Sequence, residues 1–109
     1  MKNSSVWIVL CNCPDTATAD RLAARLIEAR LAACVNRLAA VQSVYRWEGK
    51  IETASEVPLL IKTTQERYPA LEAWLAAEHP YDVPEIIALP LAATLPAYLD
   101  WVVQETLPE

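Results

Sequence analysis

Cys11 and Cys13 stand two residues apart near the amino terminus, and the chain's one histidine, His79, follows Glu78 much later in the sequence. Side chains at i and i+2 of an extended strand point to the same side, so a strand carrying both Cys11 and Cys13 would present the two thiols to one face. Thiolates and a neutral imidazole form a ligand set that copper or zinc accepts readily. A lone C-x-C does not define a site by itself, and His79 joins it only if the fold assembles the three. On the residues alone, the alternatives stay open. Cys11 and Cys34 also suit burial as small apolar side chains, and His79 suits a helix C-terminus, where an imidazole is favourable against the dipole. Glu78 is either a further oxygen ligand or a solvated carboxylate. Cys11 or Cys13 could also serve as a nucleophile, since both precede a helix N-terminus that would lower a thiol pKa.

Other chemistries are absent from the inventory. Phosphate-cradling loops need several glycines so that backbone amides can approach the anion, and Gly49 is the only one here. Ser4, Ser5, Ser43 and Ser55 lie outside any elbow-type motif, which disfavours a hydroxyl nucleophile. A non-enzyme is expected. Nine basic residues against fourteen acidic ones give a net charge of −5 with no basic cluster, so no nucleic-acid partner is expected. The apolar run Val6 to Cys11 is too short and too poorly flanked for a signal peptide or membrane span, which points to a cytoplasmic chain with no membrane partner. Three cysteines, an odd number, fit reduced thiols better than a disulfide framework.

The elements that must position these residues read as one domain over residues 1–109. A strand from Val6 to Asn12, near-continuously apolar, takes a central place covered on both faces. Asp15 caps a helix carrying Ala19, Leu22, Ala23, Leu26 and Ile27 at helical spacing and ending near Ala33. Two β-prone arms, about Cys34 to Trp47 and Ile51 to Thr64, flank Glu48-Gly49-Lys50 as one long hairpin. At ~3.3 Å per residue the first arm would reach roughly 46 Å, more than a domain of radius of gyration near ~13 Å can shelter. An overhanging ribbon leaves unpaired edges, so association with other copies is expected. A helix from Gln65 to Glu78, a strand from Ile86 to Leu91 and a helix from about Leu95 to Thr106 complete the chain. The order βαββαβ plus a C-terminal helix is an α+β, ferredoxin-like arrangement. Such a fold carries no function of its own.

Several stretches are familiar together: Leu10-Cys11, Pro14-Asp15, Leu31-Ala32-Ala33-Cys34-Val35-Asn36, Tyr45-Arg46-Trp47-Glu48-Gly49-Lys50-Ile51-Glu52, Leu60-Ile61-Lys62-Thr63-Thr64 and His79-Pro80-Tyr81-Asp82-Val83-Pro84-Glu85. In order and spacing the chain resembles the CutA family of divalent-cation tolerance proteins over nearly its whole length. The resemblance implies a homotrimer laid out like the PII signalling proteins, association with copper and heavy-metal tolerance, and a bound copper ion. It places Cys11 and His79 among the metal ligands. Cys13 is outside the family pattern, and Glu78 stands where some bacterial members carry a second histidine, replacing a borderline nitrogen donor by a hard oxygen. Tyr45, Trp47, Glu52, Lys62, Tyr81 and Glu85 match the group that lines clefts between subunits. Lys62, inside an apolar run, needs solvent or a carboxylate or carbonyl partner, and either pairs structurally or holds an anionic ligand. The alternative role is a non-catalytic trimeric scaffold or regulator with a small molecule or partner in those clefts.

Overall fold

The first apolar run occupies the middle of the sheet. A computed structural model describes residues 5–108, so residues 1–4 and 109 of the expected domain lie outside the described residues. The elements are β1 (Val6–Cys13), α1 (Thr16–Glu28), β2 (Cys34–Arg37), β3 (Val41–Trp47), β4 (Lys50–Thr64), α2 (Tyr68–Glu78), β5 (Ile86–Pro90) and α3 (Pro96–Glu105). The strands are antiparallel in the order β2-β4-β1-β5, with β3 also on β4. This is the expected ferredoxin-like sheet. Pro90, which cannot donate to a ladder, ends the edge strand β5. No helix among the described residues is long and apolar enough to cross a membrane.

Alternation decides which face is covered. Val9, Cys11 and Cys13 of β1 and Val57, Leu59 and Ile61 of β4 are buried in one core with Leu22 and Leu26 of α1 and Leu71 and Leu75 of α2. Each fully buried leucine contributes about 1.5–3 kcal/mol relative to exposure. The other face departs from expectation. Leu10 pairs with Leu60 and Ile87, and Ile8 with Leu89, yet Ile87 and Leu89 are 50% and 54% exposed. In the single chain, β1 is therefore sealed on the helix side and lies under a half-bare apolar stripe on the other.

Helix ends follow local chemistry. The Asp15 side chain accepts a 2.8 Å bond from the Thr18 amide at the start of α1. The helix stops five residues before the expected Ala33, because Arg30 takes a left-handed φ of 58°. Leu31 N–H then returns to Leu26 O and Arg30 N–H to Ile27 O, the paired bonds of a Schellman motif with arginine in the usual glycine position. In α2 the proline of the first turn, Pro69, removes only an amide with no intrahelical partner, and the helix begins at Tyr68 rather than Gln65.

The long hairpin is real but its first arm is not one strand. Arg37 faces Leu59 and Val41 faces Glu56, so the three residues Leu38–Ala40 oppose the two residues Val57–Pro58. One surplus residue makes a bulge, which breaks the arm into β2 and β3 and bends it. The second arm, β4, runs unbroken for 15 residues. At the tip Trp47 pairs with Lys50, leaving a two-residue turn in which Glu48 and Gly49 have φ of 48° and 81°. Two left-handed residues define the primed turn that matches strand twist, and the second is where glycine relieves the Cβ clash. Beyond the bulge the ribbon leaves the core: Val44 and Ile51 are 67% and 72% exposed. The molecule is accordingly 47 Å long against 27 and 23 Å across.

Candidate metal centre and adjoining cavity

Three donors from two ends of the sequence meet at the end of β1. Strand alternation turns both Cys11 and Cys13 into the core, where each is fully buried. His79 caps the C-terminus of α2, and being followed by Pro80 it is held in extended conformation, φ −74° and ψ 139°. This carries its imidazole off the helix axis toward β1. The two sulfurs and a ring nitrogen lie within 4.8 Å of one another, and His79 is 7% exposed.

The imidazole is held on both sides by main chain. Its Nδ1 accepts from the Tyr81 amide at 3.1 Å and its Nε2 lies 2.8 Å from the Asn12 carbonyl oxygen. An amide can donate only to an unprotonated nitrogen, so Nε2 carries the proton and donates to Asn12. The Tyr81 ring lies beside it, centroids 4.8 Å apart. The thiols are unequal. Cys11 is pushed up by its pairing with Cys13 and by burial, and the same pairing lowers Cys13. Glu85 and Glu56 raise Cys11 further, while Arg21 helps to lower Cys13.

A cavity of about 560 Å³ opens next to this cluster, between the hairpin arm and the loop after α2, and is lined in part by Asn12, Tyr45, Trp47, Glu56, Tyr81 and Glu85. Glu56, only 9% exposed, accepts from the Tyr81 hydroxyl at 2.9 Å and from the Asn12 amide at 3.4 Å. The Asn12 amide also reaches Glu85 at 3.3 Å. Burial and the Glu56 carboxylate together raise the Tyr81 hydroxyl pKa. Asn12 and Tyr81 thus serve both places: their main chain holds His79 and their side chains hold Glu56.

Of the expected ligands, Cys11 and His79 come together and Glu78 does not. One residue earlier on a helix is about 100° around the axis, and the Glu78 carboxylate sits at the surface 3.8 Å from Arg21. Cys13 takes the third place. Of the expected cleft group, Tyr45, Trp47, Tyr81 and Glu85 line the cavity, whereas Glu52 faces Tyr45 along the exposed arm and Lys62 lies elsewhere on the sheet. Lys62 finds its carbonyl partner in the Asn36 side chain, with the Cys34 sulfur 4.0 Å away. Asn12 and Glu56 escaped the sequence reading. Nothing in their local sequence marks them, since each acts through partners more than 20 residues away.

A ferredoxin-like chain with an outsized hairpin and a buried cysteine–histidine cluster is the class of protein defined so far. The chain belongs to the CutA1 divalent ion tolerance protein family, whose model matches residues 7–105. It is 48% identical over 94 residues to the divalent-cation tolerance protein CutA of Pectobacterium atrosepticum, covering 86% of each chain. CutA from Xylella fastidiosa superposes with a TM-score of 0.91 at 43% identity, over 94% of this chain and 98% of that one. The periplasmic divalent cation tolerance protein CutA from Archaeoglobus fulgidus gives 0.89 at 36% identity, over 93% and 98%.

Proposed function

We propose that this protein is a non-catalytic homotrimer that binds a copper ion through the cluster at Cys11 and His79, in the cytoplasm, as part of divalent-cation tolerance. The observation that carries this is the convergence of soft donors, two thiols and an imidazole, within 4.8 Å in a buried position. The donor set fits copper: sulfur and imidazole ligands favour it over hard cations such as magnesium or calcium, which require oxygen. When bound, the ion would supply the positive charge that lets buried thiols ionise. Burial and a raised pKa leave Cys11 a poor nucleophile, which supports a binding role over a thiol enzyme. The trimer is supported by the projecting ribbon and by the bare stripe around Ile87 and Leu89. Free Cys11, Cys13 and Cys34 suit a reducing compartment, although the Archaeoglobus relative is named periplasmic.

Native mass spectrometry with calorimetric copper titration tests the reading. A trimer whose copper binding is lost in Cys11→Ser supports it; a monomer, or a parent that takes up no copper, refutes it. The cavity favours a second role, as a regulator that holds a small molecule against Tyr45, Trp47 and Tyr81. Here the parent should retain a non-metal mass that Tyr45→Ala loses while still assembling.

A further inference from the structure

Beside Cys11 and His79 the cluster contains a second thiol, Cys13, and that thiol has a structural consequence. We infer that Cys13 converts the centre into a dithiolate site selective for copper(I), with His79 as a subordinate ligand. This rests on the cluster being a metal site, as proposed above.

The geometry favours a bridging ion. Two thiolates bound at ~2.3 Å to one ion stand roughly 3.8 Å apart in a tetrahedral arrangement and 4.6 Å apart in a linear one, and the Cys11 and Cys13 sulfurs lie within 4.8 Å. A disulfide fits less well. Residues two apart along a strand have Cα atoms about 6.6 Å apart, near the upper limit of what a disulfide tolerates and beyond its preferred span.

The competing bonds of the three donors are unequal. The two sulfurs lie side by side, and Cys11 makes only a 3.9 Å contact with the Asn12 carbonyl. They can exchange their protons for an ion at the loss of no more than that long sulfur–carbonyl contact. His79 cannot. Its one lone pair is taken by the Tyr81 amide and its one proton by the Asn12 carbonyl. To ligate, it must leave Tyr81 N–H unpaired or turn its ring. Sulfur therefore binds first, and the imidazole joins at a cost.

Ligand number then selects the ion. Zinc takes four ligands in structural sites, and among the described residues no carboxylate joins this group. Two thiolates with at most one imidazole suit a soft monovalent ion of low coordination number, which is copper(I). On binding, each S–H bond gives way to an S–Cu bond, both protons pass to solvent, and no electron is transferred.

The test uses the reduced full chain under anaerobic conditions, with copper(I) delivered as its bicinchoninate complex. The parent should withdraw copper(I) and develop near-ultraviolet thiolate-to-copper absorption, and zinc(II) should not displace it. Cys13→Ser and Cys13→Ala should each bind more than about 100-fold more weakly, beyond the roughly 10–100-fold that loss of a merely orienting partner costs. His79→Gln should fall within that smaller range. X-ray absorption on the loaded parent, which needs no variant to fold, should count two sulfurs per copper. One sulfur per copper, displacement by zinc(II), or Cys13 variants as tight as the parent while Cys11→Ser fails would overturn the dithiolate and leave a Cys11 metal site standing. A parent that leaves all copper with bicinchoninate would overturn both.

Discussion

Replacing Tyr81 by phenylalanine removes one hydroxyl and nothing else, which makes it the sharpest probe of the cavity floor. The lost bond runs 2.9 Å to a Glu56 carboxylate that is 9% exposed. A hydrogen bond to a charged group is worth about 1.5–3 kcal/mol, and removing one partner of a buried pair leaves the other undersolvated. Glu56 keeps its longer 3.4 Å bond from Asn12, so the lower end, about 1.5 kcal/mol, is expected for Tyr81→Phe. Glu56→Gln, which keeps the shape but removes the charge, should cost about 1 kcal/mol, and the double variant less than the sum. The assay is urea unfolding at one fixed chain concentration, because the proposed assembly would make apparent stability concentration-dependent. The four proteins form a double-mutant cycle, and a coupling energy of at least about 1 kcal/mol is expected. Below about 0.5 kcal/mol, the scatter of independent sites, the bond would be shown to contribute nothing. Since Tyr81→Phe keeps the amide that holds His79, copper uptake should be unchanged. That separates damage to the cavity from damage to the cluster.

Two further outcomes follow from the backbone. Gly49→Ala meets no atom within 4 Å but must hold φ near +81°, so it should cost about 1–2 kcal/mol, read as faster amide exchange in the ribbon around Trp47 and Ile51. Asp15 has a lowered pKa because the Thr18 amide bonds its carboxylate. Its contribution is therefore complete above the ordinary carboxylate value of ~3.9 and is lost as the pH falls through the lower folded value. Melting temperature followed from neutral to acid pH should show that loss in the parent and lack this component in Asp15→Asn, which caps without titrating.

Periodicity made the strands and helices legible, because burial repeats every two or 3.6 residues wherever Val9, Leu22 or Leu71 must reach one core. Two misplaced boundaries share a cause. Arg30 and Leu38–Ala40 end their elements through backbone conformation, and neither carries the glycine or proline that normally signals a stop. In the site, the C-x-C spacing correctly put two thiols on one face. Glu78 falls outside the cluster because adjacency in sequence is not adjacency around a helix, and Lys62 meets its need for a carbonyl partner in Asn36, on a different strand. Asn12 and Glu56 were invisible, as their importance lies wholly in tertiary pairing.

The surplus residue between β2 and β3 has a geometric consequence for the proposed assembly. Since β4 continues unbroken beneath both segments, the excess has nowhere to migrate, and every copy is elbowed at the same spot in the same sense. In the homotrimer proposed above, a limb whose angle is written into covalent length would reach its neighbour already aimed, leaving little orientational entropy to lose on docking. Excising one residue from Leu38–Ala40 would straighten that limb and turn one segment's side chains to the opposite face, closing the wrong surfaces together with every local contact still available.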